Sequence, residues 1–121
     1  MGRLAYMSTP SMKAKLKQVF TNATYGEIPV WTGETMNGYT AYATNNVPST
    51  LTKGASDDCH AIVYGNWPDL VVGMWGNGVE LIVDPYTNFA SGGVQIRVLV
   101  DFGIDVRHAA SFAACIDARD V

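Results

Sequence analysis

Residues able to do chemistry are few in this 121-residue chain, and they are scattered. Asp58, Cys59 and His60 are consecutive. A cysteine beside a histidine can be drawn as a nucleophile with its base, and the aspartate would complete a metal corner. The segment from Cys59 to Tyr64 reads as an apolar strand, however, and successive strand residues point to opposite faces, so the three cannot converge on one atom. An ordinary strand histidine is the reading the residues favour. His108 follows Arg107 at the end of a second strand, where a solvated or interface role fits better than proton transfer. Asp84 and Asp101 could pair as carboxylates, but nothing in their spacing brings them together. Gly76, Asn77 and Gly78 superficially match a phosphate-cradling loop. The third glycine, the lysine and the following helix are missing, so a tight hairpin turn is expected instead. The expectation is therefore no catalytic, cofactor-binding or metal-binding residue. A small hydrolase built on Cys59 and His108 stands as the enzyme alternative, which harmless alkylation of the thiols would dispose of.

Trp31, Trp67 and Trp75, with six tyrosines, could form a platform for sugar or peptide. A β-rich binding module for carbohydrate is thus a second alternative. Aromatics on short strands more often fill cores and interfaces, and Trp67 before Pro68 is expected to pack under its own turn.

The elements that would position these residues are dominated by one stretch. From 94 to 106 every even position is apolar (Val94, Ile96, Val98, Val100, Phe102, Ile104, Val106). Every odd position but Leu99 is polar or glycine. This is a strand of period two. Fully extended it would run roughly 43 Å, against a diameter of roughly 35 Å for a compact domain of this length. It must bend, with Gly103 a candidate, or project, and a projecting strand with one apolar row invites another chain.

Thr9 and Pro10 form a helix start, and Met12, Leu16, Val19 and Phe20 share one face of a helix expected to end near Thr21 and to cover a sheet. Short strands are expected at 28–31, 39–44, 59–64, 70–75, 79–83 and 111–116. The 70–75 and 79–83 segments should form a hairpin through Gly76–Gly78. Residues 51–58 read as a mobile surface loop. One helix followed by many strands gives an α+β class: an antiparallel or mixed sheet flanked by one or two helices, with a long C-terminal strand. A single domain spanning 1–121 is expected.

Apolar residues make up 48% of the chain and charged residues 16%, against a typical charged share of about 25%. So sparse a charge suits a surface covered by neighbours. The formal charge of -3 lacks the basic footprint of a nucleic-acid binder. Three of the four lysines sit together at Lys13, Lys15 and Lys17, read as one solvated helix face. Cys59 and Cys115 have no paired metal spacing, and no bridge follows from them. No apolar run approaches a membrane helix and no signal peptide is present, so synthesis in the cytoplasm is expected.

Residues 62–112 resemble the C-terminal region of tailed-bacteriophage major capsid proteins of the Hong-Kong-phage type. The resemblance lies in Tyr64, Gly65, Asn66 and Trp67, then the strand from Leu70 to Met74, and then Leu81, Ile82, Val83, Asp84, Pro85, Tyr86 and Thr87. The long strand follows, and Arg107, His108, Ala110, Ser111, Phe112 and Ala113 close the series. Upstream, Tyr6, Met7, Ser8, Thr9 and Pro10 resemble the family's short strand and turn before a helix, and residues 39–48 resemble a later strand and loop. The likeness spans about 4–117. It implies a shell subunit without an active site, with an axial domain around the five-fold and six-fold axes of an icosahedral head and a peripheral domain that includes a long strand. Its partners would be copies of itself, and scaffold and other head proteins, and its place the virion capsid. The family's N-terminal arm, extended hairpin loop and long spine helix have no room here, so a C-terminal fragment is expected.

Overall fold

The computed structural model describes residues 3–22, 24 and 28–120. The opening of the glycine- and threonine-rich stretch, 25–27, lies outside them. The chain divides into two compact units, one of Met1–Asp69 with His108–Val121 and one of Leu70–Arg107. The class is α+β, mostly sheet with one α-helix among the described residues.

The first unit is built on a mixed sheet. Strand β1 (Leu4–Ser8) pairs in parallel with β4 (Tyr39–Ala43) and antiparallel with β6 (Ser56–Asn66). Beyond β4 lie the two-residue strands β3 (Thr35–Met36) and β2 (Trp31–Thr32), while β6 also pairs with β5 (Leu51–Lys53) and with the last strand, β9 (Phe112–Ala118). Helix α1 (Pro10–Leu16) starts as the sequence predicts: extended Thr9 accepts the Met12 amide on its hydroxyl at 3.3 Å, and Pro10 stands where a free amide would otherwise be lost. Met12 is buried, and Leu16 packs with Tyr6, Val30 and Ile62 around the core of Trp31, Met36 and Ala41.

Three expectations need correction here. The helix stops at Leu16 rather than near Thr21. Past the cap at Lys17 the chain bonds sideways, Val30 N–H to Val19 C=O at 2.8 Å and Thr21 N–H to Ile28 C=O at 2.9 Å. Branched Val19 and aromatic Phe20 suit that extended pairing better than a further helical turn. Residues 28–30 serve this bridge, and the strand expected there begins at Trp31. Residues 51–58 are not a plain loop: β5 turns at Gly54 (φ +62°) into β6, which is longer than its apolar stretch because it has partners on both sides.

The second unit is a two-stranded antiparallel ribbon of β7 (Leu70–Asp84) and β8 (Gln95–Val106), with a single 3₁₀ turn at Phe89–Ser91 in its connecting loop. The long alternating strand is thus as expected, but its partner corrects the proposed hairpin. Gly76, Asn77 and Gly78 do not reverse the chain. They form a bulge in β7, with Trp75 opposite Asp101 and Val79 opposite the adjacent Val100. Gly76 (φ +70°) and Gly78 (φ +81°) supply the left-handed backbone either outcome needs. Running on wins because β8 then pairs both halves of β7, twelve residue pairs in all, where a local hairpin would pair only the short halves with each other.

Candidate functional site

The residues singled out for chemistry do not assemble into a reacting centre. Cys59 is buried, its thiol 3.7 Å from the Ser56 carbonyl, while Asp58 is exposed and adopts a left-handed φ of +57°. His60 is buried and turned elsewhere: its Nδ1 lies 2.8 Å from the Thr9 hydroxyl and its Nε2 3.2 Å from an Asp120 carboxylate oxygen. A threonine, a histidine and an aspartate in series have the outline of a hydrolytic relay. Here Thr9 is 3% exposed and its oxygen already holds the first turn of α1, so the series fastens three distant segments together. Sequence reasoning missed this grouping, since its members lie 51 and 60 residues apart. His108 is exposed, and both cysteines are free thiols, Cys115 exposed. Asp84 pairs across the ribbon with Gln95 and Asp101 with Trp75, which sets the two aspartates at distant registers. Among the described residues no three His, Cys, Asp or Glu side chains gather as metal ligands.

Two of the three tryptophans are spent on packing. Trp31 is fully buried with the Lys13 ammonium 5.5 Å from its ring centre. Trp67 does not pack under its own turn as expected: it donates its indole N–H to the Ala5 carbonyl on β1 at 3.0 Å and stands edge-on to Phe112 of β9. Tyr6, Tyr39 and Tyr64 stack at 4.3 to 6.3 Å. Lost hydration there, with a hydrogen bond to Tyr39, pushes the Tyr64 phenol above its ordinary pKa.

What stands out is the ribbon. Its cross-strand pairs on one face are Leu70/Val106, Val72/Ile104, Met74/Phe102, Val79/Val100, Leu81/Val98 and Val83/Ile96. All twelve side chains are apolar. From Val72/Ile104 to Val83/Ile96 they are 43–66% exposed. The bulge makes this face continuous: four steps along β7 are matched by one along β8, so β7 changes from even to odd numbering while staying on the same side. At twelve residues β8 makes the strip about 40 Å long. The loop at the end of the ribbon is tied by Asp84, whose carboxylate accepts the Tyr86 amide at 2.8 Å, the Thr87 amide at 3.4 Å and the Thr87 hydroxyl. Tyr86 and Phe89 project from it, 82% and 80% exposed. The ribbon offers an oily face, an aromatic-tipped loop and open strand edges, which are the means of binding other polypeptide.

Comparison with known proteins agrees. A family profile described as "Phage capsid family" matches residues 2–115. The major capsid protein of Halomonas phage phiHAP-1 is 29% identical over 110 residues, which covers 91% of this chain and 16% of the relative. The chain therefore spans about one sixth of the length of that curated relative.

Proposed function

The chain belongs to the phage capsid family, and from that membership we propose that it is a wall-forming part of an icosahedral phage head, cohering with copies of itself. In this reading the mixed-sheet unit is the axial part of the subunit, the ribbon belongs to its peripheral part, and scaffold or other head proteins meet it during assembly. The chain is made in the bacterial cytoplasm and ends in the virion capsid, and no residue of it turns over a substrate.

The observation that carries this reading is the uninterrupted strip of six apolar cross-strand pairs. A two-stranded ribbon is marginal in water by itself, and leaving ten side chains half exposed is unfavourable unless something covers them. A subunit whose working state is surrounded by neighbours meets both conditions. A carbohydrate platform is less well supported, because Trp31 and Trp67 are engaged in packing.

The test is assembly. Expressed from the parent gene, the wild-type subunit should give closed shells in electron micrographs. Leu81→Asp with Val98→Asp, which places two carboxylates in the middle of the strip at several kcal/mol each if covered, should leave soluble subunits and no shells. Normal shells from that variant would overturn the role of the strip, and a wild-type parent that stays monomeric under all conditions would overturn the capsid reading.

A further inference from the structure

The other face of the ribbon has its own organisation. Gly73 lies opposite Gly103, and the ring of Trp75 covers this glycine floor: a methyl group at Gly103 would come within 3.0 Å of the indole, and one at Gly73 within 3.4 Å. Trp75 is nonetheless 62% exposed. Asp101 is its cross-strand partner and Asp105 stands two pairs further on, so two carboxylates flank the indole on one side of β8. One Asp105 oxygen accepts the Val106 amide at 2.8 Å. Val71, Trp75, Ile104 and Asp105 line a shallow depression of about 420 Å³ over the glycines. An indole between two carboxylates is a receptor for a cationic side chain, since the ring face and both charges attract the same sign. Arg97 lies four residues from Asp101 beyond the bulge, and Arg107 just past the end of β8.

A matching cation exists in the same sequence. Between Arg3 and Asn22 there are four basic residues and no acidic one. Lys13 and Lys17 sit one helical turn apart in α1 and its cap, and so share a face; Lys17 is exposed, whereas the half-buried Lys13 has its ammonium over the Trp31 ring of its own copy and would have to turn from it to reach a second one. We propose that the Trp75–Asp101–Asp105 patch of one copy receives the lysines of α1 from a second copy. This is a heterologous contact, one surface against a different one, which propagates from copy to copy. It rests on the shell-forming reading above and deepens it by naming the surfaces.

The 121-residue chain itself supplies the test, with self-association followed by sedimentation at low salt. The wild type should associate, and more weakly by at least tenfold in 0.5 M salt than in 0.05 M. Lys13→Glu/Lys17→Glu alone and Asp101→Lys/Asp105→Lys alone should each lose association by tenfold or more. An equimolar mixture of the two should regain it, because the reversed helix of one then meets the reversed patch of the other. Asp101→Asn/Asp105→Asn, which keeps shape at exposed positions, should weaken association and flatten its salt dependence, and this variant decides the matter if a charge reversal impairs folding. A wild type that remains monomeric, unaltered association in the variants, or a mixture that stays dissociated would each overturn the contact. Shell formation is scored separately: shells that assemble although the mixture fails leave the capsid reading standing without this contact.

Discussion

At the scale of single residues, fastening matters more than reactivity. Thr9 serves two partners through one hydroxyl, capping α1 and meeting His60, which in turn meets Asp120. Thr9→Ala removes a cap worth about 1 kcal/mol and orphans a buried imidazole nitrogen at about 1–3 kcal/mol. Thermal unfolding should therefore fall by roughly 5–15 °C, with Thr9→Ser close to wild type. The Thr9 cap was legible, because a cap is a local event between neighbours in sequence. The His60 and Asp120 contacts were not, because their proximity exists only after β6 and the C-terminal segment have been placed. Asp84 titrates in the same spirit. Its hydrogen bonds from the Thr87 hydroxyl, the Tyr86 amide and the Thr87 amide hold its carboxyl below the usual 3.8. A lowered folded pKa means the loop's stabilisation is complete above 3.8 and is lost as pH falls through the folded value. Amide exchange at Tyr86 and Thr87, compared with that of Asp84→Asn, should accelerate only in strong acid.

At the scale of elements, the ribbon shows where local pattern is sufficient and where it fails. The period-two alternation of β8 was readable because strand geometry fixes the side of each residue in turn. Its partner was not. Gly76, Asn77 and Gly78 satisfy a reversal and a bulge equally well, and only the presence of twelve pairing residues in β8 decides between them. The same limit explains α1: Val19 and Phe20 fit the helical stripe, yet a sideways partner at Ile28 and Val30 ends it sooner. A direct consequence follows for the bulge. Removing Gly76, Asn77 and Gly78 together makes Val79 follow Trp75 directly, which matches the neighbouring positions Val100 and Asp101. The deletion variant should keep the apolar strip intact and fold with an unfolding temperature at or above wild type. A fall of more than a few degrees would mean that the bulge itself is stabilising.

At the scale of the whole molecule, magnitudes favour many weak neighbours over one strong one. Ten strip side chains about half exposed offer on the order of 10 kcal/mol if fully covered. Joining two molecules costs about 4–15 kcal/mol in lost freedom. One contact is thus near balance, and a closed arrangement in which each copy touches several others is not. The sparse charge of the chain and the half-exposed apolar strip fit the proposed role, in which sheet edges, apolar faces and the Trp75 patch would supply the cohesion. The exposed indole has one more use. Trp31 sits in the dry core and Trp67 against Phe112, so the water-exposed emission at long wavelength belongs to Trp75, and the molecule has a built-in optical gauge for whatever settles on the ribbon.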